Sequence, residues 1–281
     1  MVRRIVVVAM VAVSLAAVGT HLTAQQSAPK TATAAQAPAA AKQAPQPAAA
    51  APLPRVAVTI VQIKPDLVDE WLEFQKNETI PTLRKGGVTG RTGLVTAFGE
   101  SFEYIFLTPL TSFADRDGES PIVKALGQDG ARAFAQKNRR FIAHQRTFVA
   151  TVRNDLSYQP TPTASLPIAV VSSYSIATGH NAEFENYIKN DLTPAHKQLK
   201  TGGFVVQQAL FGGDGNSFVV ASLMSNFAEI DKGPALTRAY GQARAAAVQQ
   251  KLAGIVTHVE RTVVRMVPEL SFQPRSSSDD R

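Results

Sequence analysis

The sequence predicts an α+β fold built from two tandem β-α-β-β-α-β repeats packed sheet to sheet within one chain. Three observations predict it: an internal duplication, the same order of strand and helix signals in each copy, and strands apolar on both faces. The duplication is read from seven matches in one order. Leu156-Ser157-Tyr158-Gln159-Pro160 returns as Leu270-Ser271-Phe272-Gln273-Pro274, 114 positions on. Lys76-Asn77-Glu78 with Pro81 returns at 113 as Lys189-Asn190-Asp191 with Pro194. Gly86-Gly87 and Ser101-Phe102 match Gly202-Gly203 and Ser217-Phe218 at 116. Phe113-Ala114-Asp115, Gly127-Gln128 and His144 return at 114 as Phe227-Ala228-Glu229, Gly241-Gln242 and His258. A unit of this length is a common domain size.

Taken in order, the chain opens with Arg3-Arg4 and an apolar or small run, Ile5 to Val18, broken by Ser14 and followed by a small residue at Ala24. These are the parts of a cleavable export signal over 1–24, with cleavage near Ala24 and a periplasmic or secreted product. The run falls short of the about 20 residues a membrane span needs. An uncleaved anchor is the alternative. Residues 25–54 hold 13 Ala and 6 Pro with no large apolar residue before Leu53. Proline interrupts helix and nothing offsets the entropy of ordering, so this reads as a disordered linker.

Repeat 1 (55–160) and repeat 2 (161–274) share one grammar, and 275–281 reads as a disordered tail. Val56–Ile63 and Ile168–Ile176 are β-branched runs without breakers, hence buried strands. Pro65-Asp66 opens a helix with Asp66 placed to cap it. Val68, Trp71, Leu72, Gln75, Thr79 and Leu83 keep helical spacing up to Gly86-Gly87. In repeat 2, Phe184, Tyr187, Ile188, Leu192 and Leu199 fill comparable places. Pro81 and Pro194 are expected to kink both helices at one point. Hairpin strands follow at about 88–98 and 102–108, then 204–211 and 217–224, with Gly212-Gly213-Asp214-Gly215-Asn216 as a turn. Helical regions at 121–144 and 234–258, divided by Gly127 and Gly241, lead to last strands at 146–153 and 261–267. Along the first strand, Val56, Val58 and Ile60 share one face, and Ala57, Val61 and Ile63 the other. Both faces must therefore be covered, which packing the copies together achieves around an apolar space.

Composition removes several functions. There is no cysteine, so disulfides, thiolate metal sites and cysteine nucleophiles are excluded. The formal charge is +7, but 55–274 carries 23 basic and 20 acidic residues, which argues against nucleic acid as a partner. Neither a nucleophile elbow nor a His-Glu-x-x-His motif occurs.

The two copies, each a strand followed by the grammar of Ile63-Lys64-Pro65-Asp66 through Trp71 to Ile80-Pro81, resemble the dimeric α/β-barrel (ferredoxin-like) superfamily. Within it they resemble tandem NIPSNAP-like proteins. The resemblance covers about 55–274. It implies ligand binding between sheet and helices or within the barrel, and activities that include cofactor-free monooxygenases, haem-handling enzymes, isomerases and members without assigned activity. No motif transfers a catalytic residue.

The candidate catalytic residues are His144, His258, Tyr174 and Tyr104. The histidines recur in register, read as the end of the second helix, where the dipole favours imidazolium. The resemblance makes them possible haem ligands. Either tyrosine could reach a central cavity. The candidate ligand-binding residues are Asn77, Glu78, Asn190 and Asp191, beside the kinking prolines, where Asn can satisfy freed carbonyls. His180 and His196 read as surface residues, and no metal site is expected. The leading expectation is an uncharacterised exported barrel binding a small apolar ligand, with no cofactor predicted and further homo-oligomerisation open. The rivals are a cofactor-free monooxygenase-like or haem-handling oxidoreductase, and a structural or interaction module of the cell envelope.

Overall fold

A computed structural model describes residues 53–160 and 166–273. The expected export signal, nearly all of the expected Ala/Pro linker and the expected tail lie outside the described residues. In repeat 1, β1 (Arg55–Ile63) precedes a 3-10 turn (Pro65–Leu67), α1 (Val68–Phe74), a π-helical turn (Gln75–Thr79) and α2 (Ile80–Lys85). The hairpin of β2 (Thr92–Phe98) and β3 (Glu103–Leu110) follows, then α3 (Pro121–Arg139) and β4 (Ile142–Val152). Repeat 2 runs through β5 (Ile168–Ile176), α4 (Asn181–Tyr187), a second π turn (Ile188–Leu192) and α5 (Thr193–Leu199). It continues with β6 (Phe204–Phe211), β7 (Ser217–Met224), α6 (Ala228–Asp231), α7 (Ala235–Tyr240), α8 (Gln242–Lys251) and β8 (Val256–Met266).

Both repeats are thus β-α-β-β-α-β, and their sheets join edge to edge. β2 pairs with β8 and β4 with β6, closing an antiparallel barrel in the order β1-β3-β2-β8-β5-β7-β6-β4. Closure leaves no unpaired strand edge. Side chains alternate between the two faces of each strand. On the outer face, Val61, Ile63, Tyr104 and Phe106 pack with Trp71 and Phe74 of α1, and Ile176, Phe204 and Phe218 pack with Phe184 of α4. On the lumen face, Val56, Val58 and Ala150 gather Ile60, Ile105, Leu107 and Phe148. The two-faced pattern of the first strand is therefore used on both sides.

The duplicated Leu-Ser-aromatic-Gln-Pro segment crosses between the repeats. Because β4 borders β6, the segment after β4 runs into repeat 2: Leu156 joins its core, and Tyr158 exchanges both backbone hydrogen bonds with Phe204. The segment after β8 does the converse, with Leu270 in the repeat 1 core and Phe272 paired to Arg91. Ser157 accepts from the Val206 N–H at 2.9 Å, and Ser271 from the Gly93 N–H at 2.9 Å.

Several expectations are corrected. The second helical region ends at Arg139 and Lys251, and His144 and His258 lie on strands, opposite Gln62 and Ser175. Pairing with β1 and β5 draws these polar residues into the sheet, a non-local effect that local sequence does not display. Asp66 does not cap; it sits in the 3-10 turn behind Lys64, whose side chain instead reaches the Arg140 carbonyl at 2.8 Å. The Ser101-Phe102 match is displaced by two residues. Tyr104 opposite Val61 is the counterpart of Phe218 opposite Tyr174, while Phe102 takes a left-handed turn conformation (φ 58°). Gly127 and Gly241 do break the second helices, both at positive φ (69° and 78°). Among the described residues no helix is long and apolar enough to cross a membrane.

Candidate functional site

The site is assembled by the π-widened helix of repeat 1. Pro81 has no N–H to donate, and its ring crowds the carbonyl of Asn77 four residues back. The helix responds by widening: the Ile80 N–H reaches past one residue to the Gln75 carbonyl, giving the π turn over Gln75–Thr79. Such turns turn extra residues inward and recur at functional sites. Here they place two polar side chains, Gln75 and Thr79, against the sheet, 4% and 8% exposed.

Arg91, just ahead of β2, meets Gln75. Its side chain is 6% exposed, and its guanidinium lies 3.4 Å from the Phe106 ring centroid. Nη2 donates to Gln75 Oε1 at 3.0 Å. Nη1 of Arg91 and Oγ1 of Thr79 are both buried without a partner. Among the described residues Arg91 has no ion pair, and burial pulls its pKa down to about 9. It is still a cation at neutral pH, set in an aromatic surround. Trp71 is 6.2 Å from Phe106 and 4.5 Å from Tyr104 between ring centroids.

Repeat 2 shows what this place holds when it serves packing alone. Its positions corresponding to Gln75, Thr79 and Arg91 are Ile188, Leu192 and Phe204, all buried in its apolar core. The equivalence of Arg91 and Phe204 is fixed by their matching bridges to Phe272 and Tyr158. A half-buried arginine, Arg153, supplies the contrast in charge. Arg153 binds Asp155 at 2.7 Å, Glu185 at 2.7 Å and Gln208 at 2.8 Å, and the bonds to the two carboxylates raise its pKa. Arg153 is thereby satisfied by the protein; Arg91 is not.

The sequence-derived candidates do not converge. Tyr104 and Tyr174 face the helix layers rather than the lumen, because they share the strand face of Phe106 and Ile176. Tyr104 touches the Arg91 cluster through Trp71, and burial, then Asp69, raises its pKa. Tyr174 stacks at 5.0 Å on Phe184 in repeat 2. His144 and His258 are exposed residues on the lumen-facing side of β4 and β8. Asn77 is exposed and donates to the Glu73 carboxylate at 3.0 Å, not to a freed carbonyl. Glu78 pairs with Lys137, Asn190 is exposed, and Asp191 lies 3.5 Å from Lys251. The carbonyl of Asp191 in the second π turn accepts from the Tyr240 hydroxyl at 3.0 Å. His196, read as a surface residue, is 4% exposed, bonded to Thr201 at 2.7 Å and packed on Phe204.

At the Arg91 cluster no residue fits as a haem ligand. The Arg91 cluster contains no histidine, and a Tyr104 with raised pKa resists becoming the phenolate a metal would need. His196 is held inside the packed core of repeat 2. Among the described residues no group of three or more His, Asp or Glu is arranged to hold a metal ion.

A groove of about 800 Å³ borders the cluster, lined by Ile80, Pro81, Arg84, Lys85 and Phe272 among others. A second, of about 520 Å³, follows α3 from Gln128 to Arg139. Both lie on the helix layer rather than in the barrel lumen. Gln75 and Thr79 were visible in the helical spacing, but Arg91 was not. Aligning Gly86-Gly87 with Gly202-Gly203 pairs Arg91 with Gln207, whereas the strand register pairs it with Phe204. A strict comparison of the copies at a shift of 113 would have exposed all three polar-for-apolar differences.

No family model and no curated protein matches this sequence. Solved structures show the fold. An anthrone oxidase-like protein superposes with a TM-score of 0.52 at 11% identity, covering 76% of this chain and 91% of that one. A NIPSNAP family protein of unknown function from Agrobacterium tumefaciens matches 40% of this chain and 94% of its own, at 11% identity and a TM-score of 0.30. The heme-degrading enzyme of Listeria monocytogenes covers 75% of this chain and 98% of its own, at 9% identity and a TM-score of 0.37. The chain has the dimeric α/β-barrel fold, here closed within a single polypeptide.

Proposed function

We propose that this chain is an exported small-molecule-binding protein whose ligand seat is the layer between sheet and helices in repeat 1. The observation that carries the reading is the exchange of Ile188, Leu192 and Phe204 for Gln75, Thr79 and Arg91 at matching places of a duplicated fold. A core that packs well with three apolar side chains has no structural need of an unpaired cation, whose burial is costly. Polar groups retained against that cost, beside the Phe106 ring and the Phe272 strap, fit a ligand with an apolar body and a polar end. Repeat 2 then serves as scaffold. Export rests on Arg3-Arg4, the apolar run and Ala24.

The test is native mass spectrometry of the protein expressed with its own leader and recovered from the periplasm. The expected result is a chain beginning at Gln25 with a non-covalent added mass that is lost on denaturation. The variant carrying Gln75→Ile, Thr79→Leu and Arg91→Phe should fold and show the bare mass. An added mass retained in that variant would move the seat elsewhere, and a bare wild type would favour a structural module.

A further inference from the structure

We propose that Arg91 seats the carboxylate of a small apolar monocarboxylic acid, which reaches it from the groove beside α2. This rests on the reading of repeat 1 as the ligand seat, and adds the ligand's chemical class. The first support is the geometry of the guanidinium. One edge is engaged by Gln75 and one face by Phe106, while Nη1 has no partner; Thr79 Oγ1, on the π turn that carries Gln75, is likewise buried and unpartnered. A carboxylate oxygen accepts from the free Nη1, and its charge balances the one the protein leaves uncompensated.

The second support is the count of charges. A single arginine in an aromatic surround compensates one negative charge, so a monoanion fits and a phosphate dianion does not. Arg153 shows how this chain neutralises an arginine internally, with Asp155 and Glu185; at Arg91 the acid is left to come from outside. The third support is the approach. Among the described residues none that lines the groove is acidic, and its wall carries Arg84 and Lys85 beside Ile80, Pro81 and Val88. Phe272 belongs to both places: it lines the groove, lies under the Arg84 guanidinium at 4.9 Å, and pairs backbone to backbone with Arg91.

The experiment uses the full mature chain and a panel of straight-chain and aryl monocarboxylates, each paired with its neutral methyl ester, in thermal-shift and calorimetric titrations. Carboxylates are expected to bind wild type, with each acid about 10- to 100-fold tighter than its ester. Arg91→Met should abolish that preference while leaving the melting temperature of the free protein unchanged or higher. Arg91→Lys should retain part of the preference, as a point charge without the fork. If acids and esters bind alike in wild type, or if Arg91→Met keeps the preference, the carboxylate assignment is overturned while the ligand seat stands. If no member of the panel binds, both fall. A lowered melting temperature of free Arg91→Met would show Arg91 to be a packing residue and also overturn the proposal.

Discussion

Arg91, Arg153 and His196 are three basic residues held in the protein by three different arrangements, and each has its own consequence. Arg153 ties the end of repeat 1 to α4 and β6 of repeat 2 through Glu185 and Gln208. Its counterparts in the other repeat are Val267, Leu72 and Val95, which pack as an apolar set. Removing Arg153 therefore strands two carboxylates, whereas removing Arg91 strands nothing charged. His196 is buried with Arg238 nearby, and desolvation lowers its pKa to about 4 from the model-peptide value of 6.5. The unfolded chain thus binds a proton between these values when the folded chain does not. Stability from this group is complete above pH 6.5 and is lost as pH falls toward 4, by up to about 3 kcal/mol. Urea unfolding at pH 7 and pH 4.5 should show this loss in wild type and a smaller one in His196→Leu, which copies Leu83 of repeat 1. Equal pH dependence in the two proteins would show that His196 is not the group responsible.

At the scale of elements, the crossing segments and the π turns explain most of the duplicated motifs. Lys-Asn-acid with proline marks a helix widened by one residue in each repeat. Leu-Ser-aromatic-Gln-Pro marks a strap that closes the neighbour's core. Leu270 is fully buried beside Trp71 and Phe106, and Leu156 beside Phe184 and Phe204. Leu270→Ala and Leu156→Ala should each cost about 2–5 kcal/mol in denaturant unfolding, as cavities in a packed core do. A cost below that of a surface substitution would mean the straps are dispensable. Gly203 shows how closely a strap approaches. At φ 89°, an added Cβ there would stand 2.0 Å from the Tyr158 carbonyl oxygen, so Gly203→Ala should displace this strap. The Phe-Ala-acid motif has a similar use: Phe113 meets Phe211 edge-on at 5.4 Å, and Phe227 meets Phe98 at 6.1 Å, each pair bridging the repeats.

For the whole molecule, closure and crossing bind the repeats into one cooperative unit. Each repeat ends its core with a leucine from the other and completes its sheet edges on the other's strands. Neither repeat therefore carries a complete core alone. Calorimetry of the chain should give one transition with equal calorimetric and van't Hoff enthalpies. A chain truncated after Met266 loses Leu270 and Phe272, and its melting temperature should fall. Two separate transitions in the intact protein would show the repeats to be independent.

The sequence alone determined the duplication, the β-α-β-β-α-β order, the helix breaks at Gly127 and Gly241, and the two apolar faces of β1. These follow from local periodicity and from repeating one unit, which require no knowledge of partners. Tertiary structure alone decided which strands meet, and with that the strand placement of His144 and His258, the helix-facing side of Tyr104 and the burial of His196. It also decided the place of Arg91, a residue before β2 whose neighbours in sequence carry no sign of burial. Phe106, Gln75 and Phe272 stand 15, 16 and 181 positions away and converge on it only in the folded barrel. Burial and the absence of a counter-charge are properties of such long-range contacts, so the unpaired cation becomes visible only when the chain has closed.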